Sequence, residues 1–314
     1  MRLVNDKVFK RVFGAESGKE ILADLLNAIL DYPEDEKITE LTLMNPFSEV
    51  NYADEKTSIM DMKAKDKQGR SYNIEVQIIA PTDYVNRVVY YLSKLLSGQL
   101  KAGENYRHLT KTISISIVSD KALFDTLKNF HNIFRYKHIT EDYELGDVTE
   151  LHFIELTKFI KTRPEELHTK LDKWASLLKF GEMYKESGYY PEELTKDNEI
   201  AMAIEQFGQV SADERFRYYL MDIEKSERDR VSDMENAIEE GMLKGIREGM
   251  QKGIREGMQK GIREGILKGK DEGIQEGILK GKLEVASGML ANKIPKSVIL
   301  QVTGLSEEDI NKIN

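Results

Sequence analysis

Between residues 5 and 30 apolar side chains recur every three or four positions: Phe9, Val12 and Phe13, then Ile21, Leu22, Leu25, Leu26, Ile29 and Leu30. That spacing gathers them on one side of a helix and predicts helices over 5–13 and 18–30. Ser17 and Glu20 supply an S-x-x-E capping box for the second. The period then changes to two. Residues 55–67 and 70–79 read as strands joined through "DKQGR", where Gly69 suits the left-handed third position of a three-residue hairpin loop. In "SYNIEVQII" (71–79), Tyr72, Ile74, Val76 and Ile78 alternate with Asn73, Glu75, Gln77 and Ile79, which predicts a strand with one face in the core and the other in water. A helix over 82–101, strands over 112–118 and 150–156, and helix again from Pro164 and over 197–225 complete an α/β pattern.

From residue 241 the pattern changes again. Glycine falls at every fourth position from 241 to 281, eleven in all, with "GMQKGIRE" as a near-identical octapeptide repeat. Each glycine costs a helix roughly 1 kcal/mol against alanine, so the segment standing alone would give up on the order of 10 kcal/mol. Such a helix needs a partner. Four residues turn about 400°, so the glycine row stays in register only under right-handed supercoiling. Beside it runs an apolar row, Met242, Ile246, Met250, Ile254, Met258, Ile262 and Ile266, and together these predict a self-association seam that makes a homodimer. The alternative is a flexible, charged, glycine-rich tail. A membrane dimer is excluded by the ten Lys/Arg and six Asp/Glu within 241–282. The last thirty residues give a helix, a break at Pro295 and two short helices around "TGLS" (303–306). Their turn resembles a helix-turn-helix, but with as many acids as lysines it lacks an electrostatic footprint for DNA and is expected to be a small helical cap.

Composition narrows the chemistry. The 314 residues contain no cysteine, which removes disulfides, thiolate zinc sites and cysteine nucleophiles and fits a reducing cytoplasm. No window approaches the ~18 uninterrupted apolar residues of a membrane span, so a cytoplasmic protein without membrane contact is expected. The net charge of −9 argues against diffuse polyanion binding and makes local charge decisive. The five histidines have no metal-binding spacing. "GAESGKE" (14–20) has three residues between its glycines and Glu20 after the lysine, which fails the phosphate-loop pattern.

The hairpin supplies the chemistry. With Lys67, Gln68 and Gly69 as the loop, Asp66 pairs with Arg70, and counting outward sets Asp61 opposite Glu75, their Cβ atoms ~4.5–5.5 Å apart. Two facing carboxylates repel, and a divalent cation between them removes that penalty. Oxygen-only ligation favours a hard ion, Mg²⁺ or Mn²⁺. Lys56, Lys63, Lys65, Lys67 and Arg70 surround the hairpin as candidate DNA-backbone contacts. Arg87 and Tyr91, one helical turn apart just after the strand, are candidates for touching phosphate or for bracing the helix.

The spacing D61-x13-E75-x-Q77 on a hairpin, "NDKVFKRVFG" near the start, and "IEVQIIAPTDYVNRVVYYLSKLLSGQLKAGENYRHLTKTISISIV" together resemble the Rpn family, the recombination-promoting nucleases also described as putative transposases, within the PD-(D/E)xK superfamily. The resemblance covers about residues 1–230. It implies a restriction-endonuclease-like core, a mixed sheet flanked by helices, and Mg²⁺-dependent DNA hydrolysis in which Asp61 and Glu75 hold the metal and Gln77 positions water or substrate. It also implies a role in recombination, mobile DNA or phage defence, and an outer acidic residue that Asp6 would supply. Met60 replaces the proline of the superfamily name, which is not a ligand. Gln77 replaces its lysine: glutamine can hydrogen-bond a water but carries no charge and is no base. Slow or conditional cleavage is the expected consequence.

The chain is thus expected to divide into a nuclease-like domain (1–232), a repeat helix (233–284) and a helical cap (285–314). Two other readings stay open: a non-catalytic DNA-binding or scaffold protein, favoured by Gln77 and the acidic balance, and a nuclease held inactive by its repeat module. Met234 and Met242, at the module's edge, also allow a shorter C-terminal product to act as a regulator.

Overall fold

The computed structural model describes residues 1–44 and 62–313. Expectations for 45–61, Lys56, Met60 and Asp61 among them, lie outside the described residues. The chain divides into two compact units, Met1–Glu224 and Lys225–Asn314.

In the first unit, α1 (Asp6–Phe13) starts on Asn5, whose side-chain oxygen accepts from the amides of Lys7 and Val8. Helix α2 (Lys19–Leu30) follows a 3₁₀ turn at Glu16–Gly18 and is capped by Gly18 without a side-chain bond. The expected Ser17–Glu20 capping box therefore does not form. A Cβ at Gly18 would collide with the Val12 carbonyl oxygen, so the close approach of the two helices selects glycine at the cap. The strands are β1 (Leu41–Leu43), β2 (Met62–Asp66), β3 (Ser71–Gln77), β4 (Thr112–Val118), β5 (His131–Phe134) and β6 (Thr149–Glu155), with α3 (Tyr84–Ser97) between β3 and β4. They form one mixed sheet of order β1-β2-β3-β4-β6-β5, in which β3, β4 and β6 run parallel and the remaining neighbours antiparallel. The hairpin register is the expected one: Met62 faces Ile74 and Lys63 faces Asn73, and Gly69 has φ +83°.

One expectation about β3 is corrected. Every residue from Ser71 to Val76 is buried, because β3 is central and both sheet faces are covered. Tyr72, Ile74 and Val76 join Ile113, Ile115 and Ile117 under α1, α2, α4 (Lys170–Ser187) and α6 (Asn198–Ala212). On the other face α3 sets Tyr84 and Val88 against Val118 and Phe153. Between α4 and α6 lies the four-residue α5 (Glu192–Thr195). Parallel sheets need cover on both faces, so the side of β3 expected to meet water is interior.

Two polar knots, the first half-buried and the second largely buried, tie this unit together. Lys170 Nζ lies 3.1, 2.5 and 3.1 Å from carboxylate oxygens of Asp24, Asp197 and Glu199, and Asp24 also accepts from the Trp174 indole at 2.8 Å. Burial pulls the Lys170 pKa down, but these hydrogen bonds outweigh it and push it up to about 12. The three carboxylates are grouped closely enough to hold a metal; the Lys170 ammonium occupies the position of charge among them.

The second knot is at the β5 edge. His131 Nε2 lies 2.8 Å from His152 Nδ1, and His152 Nε2 lies 2.7 Å from Glu150, which also meets Lys111 at 2.6 Å and Arg135 at 3.1 Å. Burial pushes the Glu150 carboxyl up, but hydrogen bonds from His152, Lys111 and Arg135 outweigh it and hold it well below the usual carboxylate range. Burial, then the neighbouring His152, lowers His131 from 6.5 to about 4. Since the unfolded histidine binds a proton that the folded one refuses, stability falls as pH drops from 6.5 towards 4. About 2 kcal/mol of that loss is expected between pH 6.5 and 5. Denaturant titration at pH 7 and pH 5 should show it, and His131→Gln should flatten it.

In the second unit, α7 (Glu214–Ala291), which begins in the first unit, is followed by α8 (Lys296–Thr303) and α9 (Glu307–Asn311). Ala286, Ile299, Leu305 and Ile310 form their small core. The turn uses Gly304 at φ +63°, and Ser306 with Asp309 makes a capping box. All eleven glycines of the repeat lie within α7, and its apolar row is exposed, Met242 at 67% and Ile254 at 59%.

Candidate active site

Alternation along two adjacent parallel strands builds the site. Glu75 sits beside Ser116 and Asn73 beside Ser114, on the face that α3 covers. Glu75 is 2% exposed, which an ionised carboxylate sustains only with partners. It has them: Gln77 Nε2 donates to Glu75 Oε1 at 3.0 Å, and the Arg87 guanidinium donates to the same oxygen. Arg87 also lies over the Tyr84 ring, 5.2 Å from its centroid. Helix α3 begins at Tyr84, so Arg87, in its first turn, is aimed back at the strand just left.

Around Glu75 the interior is polar and under-satisfied. Both amide atoms of Asn73 and the hydroxyls of Ser114 and Ser116 are buried with no hydrogen-bond partner among the described residues. Each such group costs about 1–3 kcal/mol. Hydrophobic residues would fill this space without that cost, so four orphaned polar atoms beside a buried carboxylate suit a site made for something polar. The donors are oxygens and amides alone, a set that fits a hard divalent ion and its waters. Ser114 and Ser116 escaped the sequence reading, although their alternation in "TISISIV" runs in phase with Asn73 and Glu75 and was the available signal.

The structure brings together Glu75, Gln77 and Arg87. Lys63 faces Asn73 across the β2–β3 ladder and Lys65 faces Ser71. Asp61 precedes β2 and lies outside the described residues. Asp6 opens α1 and sits 3.8 and 3.7 Å from the Lys7 and Lys10 ammonium groups. Tyr91 packs edge-on against Tyr90 at 5.6 Å. Two cations of the expected DNA-facing group are engaged elsewhere. Lys67 pairs with Glu40. Arg70 is buried, bonded to Asp66 at 2.6 Å and to the Glu36 carbonyl at 2.7 Å, with its guanidinium over Tyr32; it closes the hairpin loop from the core side.

Two known families match the chain. A family model described as PD-(D/E)XK nuclease family transposase matches residues 3–237. A second, described as the C-terminal HTH domain of the Rpn/YhgA-like nuclease family, matches residues 279–314, the stretch that its charge balance had suggested to be a helical cap. No curated protein matches the chain, and no solved structure does.

Proposed function

We propose, for a chain that belongs to the PD-(D/E)XK nuclease family transposases, the Rpn/YhgA-like nucleases, that it hydrolyses DNA phosphodiester bonds with a divalent cation, Mg²⁺ or Mn²⁺, held between Asp61 and Glu75. The observation that carries the proposal is the buried Glu75 carboxylate amid orphaned polar groups. When bound, the cation would acidify water and stabilise charge on the phosphate oxygens. The chain's own residues do the rest. Glu75 supplies a fixed anionic ligand whose rotamer Gln77 and Arg87 hold. Arg87 offsets the charge of Glu75, and its guanidinium would suit a phosphate oxygen of the substrate. Gln77 orients water or substrate through its amide without taking a proton. Lys63 and Lys65 offer backbone contacts on the strand beside the site.

The C-terminal helix-turn-helix is a second point of DNA contact in this reading, and the exposed apolar row of α7 pairs with a second copy of the chain. A non-catalytic binding protein is the alternative, and one contact favours it: Gln77 spends one of its two amide hydrogens on Glu75, as a purely structural glutamine would. Titration calorimetry of the full-length protein with Mn²⁺ separates the two. The nuclease reading expects saturable binding that Glu75→Gln weakens tenfold or more; no heat beyond dilution in the parent protein would favour the non-catalytic reading.

A further inference from the structure

The polar site is at the first turn of α3, and the other end of that helix borders a groove that the chemistry above leaves unused. Leu92, Leu96, Leu100 and Leu109 line it together with Tyr106 and Tyr136. These two rings are not core residues: Tyr106 is 81% exposed and Tyr136 55%. Thr149, buried at 5% exposure, also lines it, and its Oγ1 has no hydrogen-bond partner among the described residues. A buried hydroxyl without a partner in an apolar groove lined by two tyrosines suits a flat ligand with polar edges.

Charge selects the kind of ligand. Most cations of this unit are consumed by carboxylates: Arg2, Arg11, Lys111, Arg135, Lys137 and Lys170 all form ion pairs. Lys101, which lines the groove, has none with the described residues, and neither have Lys94 on α3 and Arg107, the chain neighbour of Tyr106. The acid lining the groove, Glu104, is exposed and accepts the Lys101 backbone amide at 2.7 Å. In a protein of net charge −9, these free cations beside exposed tyrosines complement a polyanion that carries planar groups.

The geometry points to a binding groove for an unpaired DNA strand, its bases stacked on Tyr106 and Tyr136 and its phosphates beside Lys94, Lys101 and Arg107, leading along α3 to Glu75. From Arg87 to Leu96 the helix rises about 14 Å. A base in a duplex is already stacked and cannot meet a tyrosine face, so the groove discriminates for single-stranded, frayed or flipped DNA. The inference rests on the nuclease reading for its substrate, but the binding it describes is measurable without cleavage.

The test is fluorescence anisotropy of a labelled 20-nucleotide oligo-dT and of a 20-base-pair duplex with full-length protein in EDTA. The parent should bind oligo-dT through the groove, while the duplex has the C-terminal helix-turn-helix to bind. Tyr106→Ala/Tyr136→Ala should weaken oligo-dT binding tenfold or more and leave duplex binding within twofold, while Tyr106→Phe/Tyr136→Phe, which keeps both rings, should match the parent. No oligo-dT binding by the parent, an oligo-dT affinity unchanged in the alanine pair, or an equal loss on both probes would overturn the proposal. A Phe pair as weak as the Ala pair would overturn the stacking. Both rings are largely exposed, so the alanine pair should melt as the parent does. Ring-dependent strand binding without metal-dependent cleavage would leave the groove standing and remove the nuclease.

Discussion

Glu75→Ala is expected to lower metal-dependent plasmid nicking by on the order of 10³-fold or more. Charge stabilisation by a bound cation is worth several kcal/mol of a phosphoryl-transfer barrier, and ~4 kcal/mol corresponds to roughly that factor. A second effect accompanies it. Arg87 donates to Glu75, and removing the carboxylate leaves its guanidinium, which is 26% exposed, without that partner. Glu75→Gln is therefore the companion variant: it keeps an acceptor for Arg87 and the shape of the side chain but gives up the charge. If the carboxylate acts as a ligand, both variants lose activity, and thermal melting in EDTA separates a lost ligand from a lost fold. A Gln variant that retains activity within tenfold would remove Glu75 from the metal site.

Lys170→Met should cost stability, not chemistry. Its ammonium is the countercharge for Asp24, Asp197 and Glu199, and without it three clustered carboxylates repel. Breaking a buried ion pair costs about 3–5 kcal/mol. Lys170 and Glu199 are exposed by 32% and 39%, so solvent screening reduces the expected loss to about 2–3 kcal/mol. Denaturant titration of the parent and Lys170→Met reads it directly. Because the cluster joins α2, α4 and the start of α6, the midpoint should drop with little change in slope. Millimolar Mg²⁺ or Ca²⁺ would be expected to restore part of the stability in the Met variant alone, the cation entering the place of the ammonium. A change below about 0.5 kcal/mol would show that the three acids do without Lys170.

How much of this could be read along the chain depended on whether the determinant was local. Gly69 announced its left-handed turn, and that turn fixed the register in which Met62 meets Ile74 and Lys63 meets Asn73. Period and length likewise gave α1, α2, α3, β4 and β6 within a few residues. What failed was long-range. Nothing in "SYNIEVQII" says that a helix will cover its polar face, so Glu75 looked half-solvated and is interior. Arg70 looked like one more cation in a basic cluster, and only the fold turns it inward onto Asp66 and Tyr32. Edge strand β5 carries too short and mixed a pattern to announce itself, and its partner β6 settles it. Ser114 and Ser116 gain meaning only once β4 lies beside β3.

The two ends of α3 make the nuclease account specific: a buried carboxylate under Arg87 at one, exposed tyrosines and free cations at the other. The claim that unites them is that this chain cuts DNA with a metal. Its most direct test is incubation of supercoiled plasmid with purified full-length protein in Mg²⁺, Mn²⁺ or EDTA, beside Asp61→Ala. The account predicts nicked or linear product with at least one of the two ions, none in EDTA, and none from the variant. Intact plasmid under every condition, or cleavage that persists in EDTA or in Asp61→Ala, would contradict it.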